Sequence, residues 1–128
     1  YTVTTTVPGL GPLTLRYAPD TARSEAVHVN LVGYVTDSPV KYAYVHHWQG
    51  DLGSLDLAFL KDRQFRLIDQ TSNKVAFTGA VRFRAKADQP ETGHAKDTPK
   101  ANYLAAEVWE CDFSAFTTPG RYVVAVDG

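Results

Sequence analysis

Apolar and polar residues alternate along this chain with a period of two, in short runs broken by turn formers, which is the pattern of half-buried strands. In "PLTLRYA", Leu13, Leu15 and Tyr17 fall on one side, with Thr14 and Arg16 on the other. "AVHVNLVGY" sets Val27, Val29 and Leu31 against His28, Asn30 and Val32. "KYAYVHHW" places Tyr42, Tyr44, His46 and Trp48 on one face, and Ala43, Val45 and His47 on the opposite one. "RQFRLID" and "KVAFTG" follow, joined by the turn-rich "DQTSN", and then come "AVRFRA", "YLAAEVWECDF" and "RYVVAV". A period of 3.6 is missing except in "LGSLDLAFLKD" (52–62), which has room for a helical turn. About seven or eight strands in a chain of this length predict an all-β, antiparallel sandwich. The polar segment 86–102 carries Pro90 and Pro99 and no large apolar side chain before Tyr103, so it is predicted to be a surface loop.

The ending "TTPGRYVV" sharpens the architecture. Pro119-Gly120 suits the centre of a type II turn, with proline fixing the first φ and glycine accepting a positive second one. Tyr122 then opens an apolar strand, in the position of the tyrosine corner of immunoglobulin-like sandwiches. The plainer alternative is a hairpin with an ordinary core tyrosine. If Tyr122 starts strand F of such a sandwich, "YLAAEVWECDF" is strand E, and a strand G is due after Val126. The expectation is therefore an immunoglobulin-like sandwich lacking its final strand, with an unpaired edge on strand F.

Composition narrows the classes of function. The 128 residues fit one domain with a packed core, being 44% hydrophobic and 12% aromatic. Thirteen basic and fourteen acidic residues give a net charge of -1, without the basic footprint of a nucleic-acid binder. Cys111 is the sole cysteine, so neither an internal disulfide nor a multi-thiolate metal site is expected. No stretch is long and apolar enough to span a membrane, and the N-terminus has no signal-peptide pattern. Methionine is absent and the chain starts at Tyr1, as expected of a processed chain or an excised piece.

Three motifs in order resemble a known family, the immunoglobulin-like domain that precedes the catalytic domain of many glycoside hydrolase family 9 enzymes (cellulases and related β-glucan hydrolases). The first is carried by Asn30, Gly33, Tyr34, Ser38, Pro39 and Lys41 in "VHVNLVGYVTDSPVKYAYV". The second is the hairpin "FRLIDQTSNKVAFTG", at Phe65, Leu67, Asp69, Lys74, Val75, Phe77 and Gly79. The third is "DFSAFTTPGRYVVAVDG", at Asp112, Phe113, Ser114, Pro119, Gly120, Tyr122 and Val124. Departures are the extra Val40, the longer stretches 46–62 and 86–102, and a start that matches nothing in the pattern. The resulting division is an N-terminal extension, 1–25, partly strand-like, and the immunoglobulin-like domain, 26–128. The resemblance implies a non-catalytic accessory domain that packs on and stabilises a downstream catalytic (α/α) barrel. It also implies a secreted, periplasmic or cell-surface setting and a β-glucan as the parent's substrate. No cofactor and no nucleic acid or membrane partner are implied.

Glycoside hydrolysis needs two carboxyls held across a cleft. Asp51, Asp56, Asp62, Glu107, Glu110 and Asp112 read instead as loop or strand-face charges, with Asp112 set to take hydrogen bonds at the E–F corner. His46 and His47 are adjacent on a strand and point to opposite faces, while His28 and His94 are distant in sequence, which is poor geometry for zinc. Stretch 51–62 is acidic but lacks the dense oxygen ligands of a calcium loop. Cys111 reads as a small buried residue. The rival to a purely structural role is an autonomous carbohydrate-binding module, with Tyr42, Tyr44 and Trp48 stacking on sugar; an extracellular interaction domain without a glycan role is a further alternative. Large aromatics are more at home in a core, so Tyr42 and Tyr44 are expected to point inward.

Overall fold

The computed structural model describes residues 2–16, 22–90, 96 and 100–127. Tyr17, His94 and Gly128 lie outside the described residues. A short antiparallel pair comes first, β1 (Thr2–Val3) and β2 (Leu13–Thr14), with every residue of both strands exposed. In "PLTLRYA" Leu13 and Leu15 both face solvent, and among the described residues no second layer covers this hairpin.

The sandwich follows. Its strands are β3 (Val27–His28), β4 (Tyr42–Val45), β5 (Gln64–Asp69), β6 (Val75–Ala85), β7 (Val108–Asp112) and β8 (Tyr122–Val126). They run β3-β4-β7-β6-β5-β8, all antiparallel. The two layers share β6. Its first half pairs with β5, and from Val81 onward it pairs with β7, with a register shift between Phe83 and Ala85. One layer is therefore β3-β4-β7-β6 and the other β6-β5-β8.

"KVAFTG" and "AVRFRA", read as separate strands, are this one strand. The glycine between them is a contact site, not a break. A Cβ on Gly79 would stand 2.5 Å from Phe65 Cε1 and 2.7 Å from its Cζ, so only glycine lets that ring lie across the strand. "LGSLDLAFLKD" contributes to two 3₁₀ turns, Gly50–Leu52 and Ala58–Leu60, and buries Leu57 and Leu60.

Between the layers sit Ala43, Val45, Phe65, Leu67, Val81, Trp109, Cys111 and Phe113, together with Leu57 and Leu60 from the turn region. This overturns the inward expectation for Tyr42 and Tyr44. Strand β4 turns Ala43 (0% exposed) and Val45 (3%) to the core and leaves both tyrosines half-buried on the outer surface. The smaller residues win because Trp109 and Phe113 already supply the bulk there. Strand β3 stops at His28, short of the alternation that ran on to Val32, and Leu31 lies at the tip of an exposed turn.

The E–F corner forms, by a different route from the one its sequence suggests. Tyr122 Oη donates to the Pro119 carbonyl at 3.3 Å, the backward bond of a tyrosine corner. Gly120, however, does not take a positive φ. It is required for space: a Cβ there would meet Tyr122 Oη at 2.7 Å and Cζ at 2.8 Å. That ring is pinned edge-on against Phe116, with centroids 5.0 Å apart. Gly120→Ala is accordingly expected to lose about 1–3 kcal/mol, read from urea unfolding. A wild-type midpoint would show that the ring yields freely.

Candidate functional site

The first and third motifs converge into one clamp. Asn30 Oδ1 accepts the Val32 amide at 2.9 Å, and the Gly33 amide closes the turn on the Asn30 carbonyl at 3.2 Å. Tyr34 Oη accepts the Asn30 amide and donates to the Tyr42 carbonyl, tying the turn to β4, while its ring packs edge-on against Phe113 at 5.1 Å. Lys41 is 3% exposed, and its ammonium is held by the carbonyls of Thr36 and Ser38 at 2.9 Å each. Its amide donates to Ser114 Oγ at 2.9 Å. Asp112 Oδ1 accepts the Ser114 amide at 2.9 Å, and the bonds from Ser114 hold the Asp112 carboxyl below its ordinary range. Thus Asn30, Gly33, Tyr34, Lys41, Asp112 and Ser114 fix one loop against the E–F corner. In the hairpin motif, Asp69 Oδ1 collects the Thr71 and Ser72 amides and the Ser72 hydroxyl, which lowers the Asp69 carboxyl too.

The outer face of β3-β4-β7-β6 is the chemically richer surface. Cross-strand register lines up His28, Tyr44, Glu110 and Arg82 in one row, with Tyr42 opposite Asp112. The Tyr42 and Tyr44 rings stack on each other, centroids 6.2 Å apart and planes within 23°. Arg84 stands 5.3 Å from the Tyr44 centroid and is anchored to Glu110 at 2.9 Å. That hydrogen bond raises the Arg84 guanidinium, while the Asp112 carboxylate, then burial and Glu110, raise the Tyr42 phenol. A shallow groove of about 400 Å³ runs along the tyrosines, with His28, Asn30 and Val40 on its walls.

Trp48 does not join this platform. It bridges to Ser54 beside Gly53 and lies outside the groove lining. His28 and His46, remote in sequence, stack 3.9 Å apart with planes 7° from parallel, and His28 Nε2 donates to the His46 carbonyl. Burial, followed by the neighbouring His28 and His47, depresses the His46 imidazole. Sequence reasoning missed this pair because it needs the register between β3 and β4. The remaining acids are spread out: Glu107 accepts Trp109 Nε1 at 2.5 Å, and Asp56 caps the Ala58 amide at 3.0 Å. Among the described residues no three His, Cys, Asp or Glu side chains gather as a metal cluster. The Cys111 thiol, fully buried, is pushed up to about 12 by that burial, which keeps it protonated and inert.

On the side away from β6, the layers are open. Among the described residues, β3 pairs only with β4 and β8 only with β5. Between these two edges lie hollows of about 500 and 430 Å³ along the seam, floored by Leu57, Leu60 and Leu67 and edged by Val124 and Val126. The two valines point inward in register with Leu67 and Phe65, yet remain half-buried.

A family model, the cellulase N-terminal Ig-like domain, matches residues 22–128. The chain belongs to this family. No curated protein and no solved structure matches it. The match begins after the exposed β1–β2 hairpin and takes in the whole sandwich. The clamp around Lys41 and the tyrosine corner are then features of a cellulase N-terminal Ig-like domain. No helix among the described residues is long and apolar enough to cross a membrane.

Proposed function

We propose that the chain is the non-catalytic accessory domain of a family 9 glycoside hydrolase, extracellular with its parent, which packs on the downstream catalytic (α/α) barrel and stabilises it. On this reading residues 1–25 are an extension and 26–128 the working domain. The carboxylates support a non-catalytic role, since Glu107, Glu110 and Asp112 are each engaged by a neighbouring side chain or amide.

The observation that carries the docking role is the turn after β3. Leu31 is 97% exposed and Val32 96%, on a turn locked by Asn30 and Tyr34. From Leu31 to Thr36 there is no charged residue. A pre-ordered, uncharged apolar tip loses little entropy on docking and buries no ion. A domain contact of this kind covers about 600–1,500 Å². Leu31→Asp with Val32→Asp should leave the isolated chain within about 0.5 kcal/mol of wild type. In the full-length parent the same pair should lower the unfolding temperature of the catalytic domain, followed by calorimetry. An unchanged parent would remove this surface from the interface.

A further inference from the structure

We propose that the stacked imidazoles of His28 and His46 form an acid-sensitive latch, which holds the end of β3 on β4 at neutral pH and releases it below about pH 6. Strand β3 is short, pairing with β4 at Val27 opposite Val45 and His28 opposite Tyr44. His46 grips it twice more. Its amide donates to the Ala26 carbonyl at 2.9 Å, and its carbonyl accepts from His28 Nε2 at 3.1 Å. The two rings close the contact, 3.9 Å apart and within 7° of parallel. Face-to-face packing this close suits two neutral rings, or one neutral and one charged, but not two imidazolium ions. His28 is exposed and open to protons, whereas His46 is half-buried.

The first proton leaves the latch closed, because a charged His28 still donates from Nε2 to the His46 carbonyl. The second, on His46, sets two like charges face to face in a half-buried site, and movement of β3 away from β4 relieves them. The surroundings do not offset that charge. Before β3, Arg23 and Glu25 pair with each other at 3.4 Å and are largely exposed. On β4, His47 is a further potential cation beside His46. On β7, Glu110 lies beyond Tyr44 and is taken by Arg84 of β6 at 2.9 Å, with Arg82 directly opposite. Among the described residues no carboxylate forms an ion pair with either imidazole. Because burial, then His28 and His47, depress the His46 imidazole, the folded strand binds protons less readily than the released one. The latch is therefore at full strength above about pH 6.5 and weakens as the pH falls from there through the lower folded value. Release loosens the chain entering the turn that bears Leu31 and Val32. That consequence for docking rests on the accessory-domain reading, whereas the latch itself does not.

The test is amide hydrogen exchange of the ¹⁵N-labelled chain at about pH 7.5 and about pH 5.5, corrected for the intrinsic pH dependence of exchange. The His46 amide reports the latch, and the Val81 amide, bonded to the Arg63 carbonyl, is the control. A histidine kept neutral about one unit below its ordinary value of about 6.5 favours the open state about tenfold. Protection at His46 should therefore fall about tenfold while Val81 stays within about twofold. His46→Phe, which keeps a ring in the stack but cannot charge, should abolish the fall, and His28→Phe should cut it to about threefold. A second reading needs no variant: in the wild-type chain the His46 ring signals should titrate below the ordinary histidine midpoint, with Ala26–His28 shifting in step. Unchanged His46 protection in the wild-type chain would overturn the latch. So would a tenfold fall that persists in either variant, or an ordinary His46 midpoint with β3 signals that do not move. The isolated chain reads the latch alone, so its failure is distinct from failure of the docking role, which Leu31→Asp with Val32→Asp reads in the full-length parent.

Discussion

Lengthening the chain past Gly128 by about 10–15 residues containing one apolar strand is expected to raise its unfolding temperature by roughly 5–10 °C. The reason is the seam. Among the described residues strand β8 pairs only with β5, and its inward Val124 and Val126 stay half-buried over a hollow of about 500 Å³. A strand added to that edge would complete a backbone ladder and cover the valines, at the expense of ordering its own residues. A net gain of about 2–3 kcal/mol is consistent with those opposing terms. The same strand should suppress edge-to-edge association, because an open edge is a template for another chain. Thermal circular dichroism and sedimentation velocity on the two lengths would report both effects. An identical midpoint and identical association state would mean that the seam is already satisfied.

Phe65→Ala should be the most damaging single substitution in the domain, losing about 3–5 kcal/mol. Its ring is 0% exposed, lies across Gly79, and meets Phe77 with centroids 6.0 Å apart. Gly79 cannot refill the space, so a cavity would remain. Set against a total of about 5–15 kcal/mol, this leaves the chain marginal, with a midpoint lower by roughly 10–20 °C. Phe83→Ala is the control. Phe83 is 46% exposed at the edge of Trp109 and should cost about 1 kcal/mol. Equal losses at the two positions would mean that the layers are not packed around Phe65.

Much of the fold was legible because its signals are local. The "DQTSN" connection is set by Asp69, whose carboxylate gathers amides two and three residues on. The tyrosine corner was legible from Pro119, Gly120 and Tyr122, although the role assigned to Gly120 was not. A positive φ and a close ring contact both demand glycine, and only coordinates tell them apart. The candidate site was legible in its residues and not in its direction. Tyr42 and Tyr44 could be placed on one face of β4, but both faces of "KYAYVHHW" carry apolar groups. Alternation cannot rank two apolar faces, and the aromatic one looked more like a core.

From sequence alone came the strand-rich class, the E–F corner and the family, since each depends on spacing within a few residues or on motifs in sequence order. Tertiary structure decided everything that depends on register between distant strands. It joined 75–85 into one strand shared by two layers and stacked His28 on His46. It buried Lys41 beneath the turn whose carbonyls it caps, and it turned the tyrosines outward. The physical reason is common to all four. A strand's own residues fix which side chains share a face, but only the partner strands and the volume already filled between the layers determine which face is inside.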